Sequence, residues 1–199
     1  MLMALRNAVM AALLEGEASG YDLAKGFDAS VANFWMTTPQ QLYRELERME
    51  GEGLIAARVV EQERRPNKRL FSLTEAGMDA VRAYVTEPPG KPTAIRDELM
   101  VKVQCADAGD IEAVRAAITE RMEWAAAKLA RYERLKERLL EGRTEDEYCA
   151  QAERIGPYLT LLRGMSFENE NIRWGETALR ILAHRATSAR DREHATPRA

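Results

Sequence analysis

"TTPQQLYRELERMEGEGLI", residues 37 to 55, holds the start, both faces and the end of one helix. Thr38 stands where an N-cap hydroxyl accepts a backbone N–H. Pro39 takes the first helical position, where no N–H is needed, and Gln41 sits where its side chain can return the bond in a capping box. At about 100° per residue, Leu42, Leu46 and Met49 share one side. Gln40, Arg44, Glu47 and Gly51 point the opposite way, flanked by Gln41, Tyr43 and Arg48. The spacing predicts a helix packed on one face and polar on the other, with glycines just past its end.

Upstream, Leu2, Leu5, Val9 and Leu13 recur at helical spacing and the stretch stops at Gly16. In "SGYDLAKGFDAS" Ser19 can cap a second helix and Asp22 favours its positive start, with Leu23, Ala24 and Phe27 as an inward stripe. The connection "VANFWMT" is apolar for a loop, so Phe34 or Trp35 is expected to plug a gap in the core. Downstream the period changes: "LIAARVVEQE" and "KRLFSLT", separated by "RRPN", read as a two-stranded ribbon with a basic tip. Thr74 then caps "EAGMDAVRAYV", which ends at the Pro/Gly-rich "TEPPGKP".

Beyond that linker the chain reads helical. "AIRDELMVKVQCA" precedes Asp110, a cap for an uninterrupted segment to Gly142. Ile111, Ile118, Ala125, Tyr132 and Leu139 fall seven apart, with Val114 and Leu135 in the companion slot and Met122 and Leu129 beside its charged breaks, Arg121 and Lys128. The last helical region, about 145 to 186, repeats the stripe with Tyr158, Leu162, Met165, Ile172 and Leu179, and Pro157 should kink or restart it. The tail from Ala186 is small, polar and charged, and is expected to be disordered. The resulting division is 1–86, a linker at 87–93, a helical domain at 94–186 and a tail at 187–199.

Composition narrows the function. With 199 residues the chain can bury one good core or two small ones, and no run approaches the ~18 apolar residues of a membrane span, so a soluble, cytoplasmic protein is expected. The net charge of −3 is no signature of nucleic-acid binding, but charge is segregated: residues 64 to 69 hold four cations and no anion, residues 45 to 52 four glutamates. Cys105 and Cys149 are expected as reduced, packed thiols. His184 and His194, without CxxC or HxxxH spacing, give no metal site, and no cofactor is expected. With no glycine-rich phosphate loop and no G-x-S-x-G elbow, no catalytic residue is assigned.

Three helices, a β-ribbon and a returning helix form a winged helix-turn-helix pattern, so the fold class is mainly α with a small β-ribbon, followed by a helical domain. A polar helix fits the DNA major groove, where Arg44 or Gln40 can make bidentate contacts to base edges. Arg64, Arg65, Lys68 and Arg69 at the ribbon can reach phosphate. Glu47 is expected to pair with neighbouring cations, since phosphate repels a carboxylate.

At these residues the chain resembles the PadR-like bacterial transcriptional regulators. The resemblance rests on "SGYDLAKGFD", "FWMTTPQQLYRELERMEGEGLI" and "VVEQERRPNKRLFSLTEAG", and covers residues 4 to 85. The C-terminal half looks like the helical dimerisation domain of the branch akin to virulence activators. The family implies a homodimer on an inverted-repeat operator, usually a repressor, sometimes released by a small molecule such as a phenolic acid. Carried over by motif, the DNA-binding positions are Thr38, Gln40, Gln41, Tyr43, Arg44 and Arg48 on the helix and Arg65, Asn67, Lys68 and Arg69 on the wing, with Tyr21 as a support or phosphate contact. The implied dimerisation set is Ile111, Val114, Ile118, Met122, Leu129, Tyr132, Leu135, Tyr158, Leu162, Met165, Ile172 and Leu179; Trp124 and Trp174 are the platforms available to an aromatic effector. "TTP" stands where Ala-Ser and a polar pair are more usual, and Phe71 where tyrosine is frequent. The competing reading is a helical protein-binding adaptor on a winged-helix scaffold that does not read DNA.

Overall fold

The computed structural model of the chain describes residues 2–26, 37–61, 67–88, 90 and 96–195, with side chains over 5–25, 37–61, 67–88, 90 and 96–185. The chain separates into two compact units, Met1–Lys91 and Pro92–Ala199. No helix among the described residues is long and apolar enough to cross a membrane.

The first unit opens with α1 (Leu2–Leu13), ended by Gly16 at φ +123°. A two-residue strand β1 (Ala18–Ser19) leads into α2 (Gly20–Gly26), then α3 (Pro39–Gly51), β2 (Ile55–Val60), β3 (Lys68–Leu73) and α4 (Glu75–Thr86). The ribbon expected between "LIAARVV" and "KRLFSL" is present, paired from Ile55↔Leu73 to Val60↔Lys68. A strand the sequence pattern did not reveal completes it: β1 pairs with β3 through Ala18↔Phe71 and Ser19↔Leu70, giving the antiparallel order β1-β3-β2. Two residues carry no readable alternation, so only pairing identifies them. Phe27, Phe34 and Trp35 lie outside the described residues.

The core of this unit gathers Leu5, Val9, Met10 and Leu13 of α1, Leu23 of α2, Leu42, Leu46 and Met49 of α3, and Ile55 and Phe71 of the sheet. The predicted inner stripe of α3 is entirely buried. The "TEAG" turn at the start of α4 locks helix to sheet. Thr74 caps by accepting from the Gly77 N–H, its hydroxyl donates to the carbonyls of Gly53 and Leu54, and its own N–H donates to Leu54. Gly77 is required there, because a Cβ would lie 2.1 Å from the Leu54 carbonyl oxygen.

The second unit contains α5 (Glu98–Gln104), a 3₁₀ turn at Ala106–Ala108, α6 (Ile111–Leu140), α7 (Glu145–Gln151) and α8 (Gly156–Ala195). Asp110 caps α6 and Pro157 restarts the chain as α8, both where the sequence placed them. The tail expected to be disordered is instead helical over 187–195, because its Ala and Arg content favours continuation and no proline intervenes before 197. α6 packs along α8, burying Ile118, Ala125 and Tyr132 of α6 and Tyr158 and Leu161 of α8, with the Tyr132 ring over Gly164 and Ile118 beside Gly175. Gly175 permits that approach, since a Cβ would sit 2.5 Å from Met122.

Ile118, Tyr132 and Tyr158 of the expected dimerisation set are 0–1% exposed within the single chain, where they pack α6 on α8. Ile111, Val114, Met122, Leu129, Leu135, Leu162, Met165, Ile172 and Leu179 are half-buried. Large exposed apolar side chains lie instead at Trp124 on α6 and at Leu159, Phe167 and Ile181 on α8. Cys105 and Cys149 are free, as expected, but exposed rather than packed.

Candidate nucleic-acid interface

The outward face of α3 is fixed from both ends. Its first turn carries the capping box: the Thr38 hydroxyl accepts from the Gln41 N–H at 3.2 Å, and Gln41 Oε1 accepts from the Thr38 N–H at 3.1 Å. Its underside is pinned by Arg6 of α1, whose Nε lies 3.3 Å from Glu45 and whose Nη2 lies 2.7 Å from Glu52. Arg48 reaches the same Glu52 carboxylate at 2.9 Å. The bond from Arg6, then that from Arg48, holds the Glu52 carboxyl below the usual carboxylate range.

On the solvent side Gln40, Gln41, Tyr43, Arg44, Glu47 and Arg48 are all exposed. Tyr43 also packs inward along its ring. A Cβ at the buried Gly20 would lie 2.4 Å from Tyr43 Cε1, so the glycine of "SGYD" is the space that lets this ring rest on the start of α2. Tyr21, the next residue, is exposed. Arg44 has no hydrogen bond or ion pair among the described residues.

The wing residues differ in this respect. Lys68 Nζ lies 2.7 Å from Asp22 Oδ2 on α2, and Arg69 Nη2 lies 2.5 Å from Glu50 Oε2 on α3. Asp22 is itself oriented by Ser19, whose hydroxyl donates to its carboxylate and accepts from its N–H. The Lys68 and Ser19 bonds keep the Asp22 carboxyl below its ordinary range. Arg69 also stands 5.2 Å from the ring centroid of the buried Phe71. Asn67 is exposed at the tip end of the ribbon, next to Lys68, whereas Arg64 and Arg65 lie outside the described residues. On the other wing strand Arg58 forms a two-pronged pair with Glu17 at 2.9 and 2.5 Å.

The structure therefore brings Gln40, Tyr43, Arg44 and Arg48 onto one exposed face and ties the wing residues Lys68 and Arg69 back to α2 and α3. Thr38 and Gln41 sit at the lip of that face, partly occupied in capping. The expectation that Glu47 pairs with its neighbours is corrected. Arg48 turns to Glu52, and Glu47 has no ion pair among the described residues. Arg6, Gly20, Asp22, Glu45 and Glu50 shape this face without having been read as parts of it. The signals were the clustering of glutamates over 45–52, which showed no partners, and the "SGYD" motif, which placed Asp22 at a helix start without its Lys68 partner; Arg6 carried none. In the second unit Trp124 is exposed and Trp174 half-buried.

Comparison with known proteins gives two family matches: "Transcriptional regulator PadR-like family" over residues 9–83 and "Virulence activator alpha C-term" over residues 95–183. A probable transcriptional regulator of Mycobacterium tuberculosis, Rv1176c, is 30% identical over 86% of this chain and 94% of its own length. Among solved structures, Bacillus subtilis PadR in complex with operator DNA superposes with a TM-score of 0.73 at 24% identity, covering 89% of this chain and 97% of that one. The same Bacillus protein in complex with p-coumaric acid gives 0.68 at 24% identity, covering 92% and 97%.

Proposed function

The chain belongs to the PadR-like family of transcriptional regulators, and from that membership we propose that it acts as a homodimeric repressor of an inverted-repeat operator, released by a small aromatic effector. The observation that carries the DNA-reading part is Arg44. Its guanidinium is exposed at the centre of the outward face of α3 and has no protein partner among the described residues. A free, forked donor set on a capped helix suits the paired acceptors of guanine in the major groove, with Gln40 and Tyr43 beside it and Arg48 one turn on. Thr38, Gln41 and Tyr21 line the edge of that contact, and Arg64, Arg65, Asn67, Lys68 and Arg69 supply the wing's phosphate contacts.

A single winged helix covers a short half-site. Two copies about one helical turn (~34 Å) apart multiply modest affinities into usable specificity, and the operator then mirrors the two-fold axis. Trp124, Leu159, Phe167 and Ile181 leave apolar side chains on α6 and α8 that association of two copies would cover. The effector reading draws on the p-coumaric acid complex of the Bacillus relative and on Trp124 and Trp174 as stacking surfaces.

Footprinting on the DNA upstream of the protein's own gene tests this. The expected result is a symmetric protected site whose occupancy falls with salt, with Arg44→Ala, and on adding p-coumarate or a related phenolic acid. No protection at any concentration, together with an unshifted duplex in gel mobility, would overturn the reading in favour of an adaptor.

A further inference from the structure

We propose that Asp22 and Glu50 restrain phosphate-driven DNA binding by engaging two wing cations, Lys68 and Arg69, in ion pairs. The inference rests on the DNA-binding reading above and concerns how much of that face's affinity comes from sequence-independent contacts.

Lys68 and Arg69 are successive residues of β3, so their side chains leave opposite faces of the strand. Each nevertheless meets a carboxylate, one from each of the two helices of the helix-turn-helix: Asp22 from the first turn of α2, Glu50 from the last turn of α3. Asp22 is held in place by Ser19, a residue of β1 that pairs with Leu70 of the same strand β3. Arg48 is likewise paired with Glu52, and Arg58 with Glu17. Among the described residues Arg44 has no such partner and stands on the outward face of α3.

A free surface lysine or arginine that meets a phosphate releases a condensed counterion, and this sequence-independent gain drives non-specific binding. A paired cation gains much less. To reach phosphate it must leave its carboxylate, which then faces the DNA uncompensated. That cost is the same on any duplex, whereas base contacts through Arg44 and its neighbours are made only at an operator. The carboxylates thus lower the phosphate-driven part of affinity for all DNA, in keeping with a chain of net charge −3 that must still find one site.

Fluorescence anisotropy with a labelled non-operator duplex and with the footprinted operator, between about 50 and 200 mM salt, tests this on the full chain. The variants are Asp22→Asn, Glu50→Gln, Arg69→Gln, the Glu50→Gln/Arg69→Gln double, and Glu47→Gln as an unpaired carboxylate of the same face. Thermal melts confirm that each is folded. Asp22→Asn and Glu50→Gln should each tighten binding to both duplexes and steepen the salt slope by about 0.9 per freed cation. The Glu50→Gln effect should vanish in the Arg69→Gln background, and Glu47→Gln should leave the slope unchanged. A Glu50→Gln gain that survives without Arg69, or matches Glu47→Gln, would overturn the proposal, as would weakened binding to both duplexes. Wild-type protein that binds neither duplex would refute the DNA-binding reading itself; wild-type binding with an unaltered slope in both variants would refute only this inference.

Discussion

Arg6 on α1 and Glu45 on α3 form an ion pair on the inner side of α3, with Nε 3.3 Å from Oε1 and the Glu45 side chain 2% exposed. A carboxylate so enclosed cannot be left alone. Removing one member of a buried pair typically costs about 3–5 kcal/mol, whereas replacing both by apolar groups can be neutral. Arg6→Met is therefore expected to lower the unfolding free energy by about 3 kcal/mol, and Arg6→Met/Glu45→Met to recover most of it. Urea denaturation of the single and double variants checks this.

Two glycines should respond differently to the same substitution. At Gly77 an added Cβ meets the Leu54 carbonyl at 2.1 Å, a backbone atom tied to the Thr74 turn. Gly77→Ala is expected to cost about 2–3 kcal/mol. At Gly20 the obstacle is the ring of Tyr43, which is 45% exposed and can swing outward. Gly20→Ala should cost less than about 1 kcal/mol, yet weaken operator binding by displacing Tyr43. Melting curves beside binding isotherms separate the two, and a Gly20→Ala protein with normal affinity would show that the placement of Tyr43 does not matter.

Arg44→Ala removes the forked donor proposed to read bases, from a side chain that is exposed and makes no ion pair among the described residues. Operator affinity should fall by about 1–3 kcal/mol, roughly 5- to 150-fold, while affinity for non-operator DNA changes little and the melting temperature stays within about 2 °C. Comparable losses on both duplexes would make Arg44 a phosphate contact instead.

Acid should loosen the second unit through Asp97. Its carboxylate accepts two bonds from Arg121, at 2.7 and 3.0 Å, and one from the Leu99 N–H at the start of α5. The Arg121 bond is the main reason that its pKa lies below the ordinary value of 3.8. A carboxyl depressed on folding adds stability above its unfolded pKa and loses that contribution as pH falls through the folded value. The same sign holds for Asp22 and Glu52 in the first unit. Melting temperature should therefore hold from pH 7 to about 5 and drop below about 4. Asp97→Asn should lower the plateau and flatten the acid limb, and an unchanged limb would assign the acid transition to other groups.

Much of α3 was legible because its signals are local. Thr38, Pro39 and Gln41 act within one turn, and the buried side of Leu42, Leu46 and Met49 follows from helical period alone. Thr74 and Asp110 were readable as caps for the same reason. The partners of the charges were not. Glu45 and Glu52 find Arg6 across 39 and 46 residues of chain, distances over which sequence spacing says nothing about approach. Repulsion from phosphate predicts that Glu47 pairs with a neighbouring cation, but Arg48 bonds Glu52 one turn on, and Arg44 makes no ion pair among the described residues.

The amino-acid order by itself determined where helices begin and end, which α3 side chains point outward, and that a basic ribbon follows, since each depends on backbone bonds and periodicities a few residues long. Only the tertiary structure decided that Ile118, Tyr132 and Tyr158 face their own chain, that Gly20 makes room for Tyr43, and that Lys68 and Arg69 are already engaged by acids. An apolar stripe or a charged face states what must be covered. What covers it depends on which distant segments the fold brings within a few ångströms.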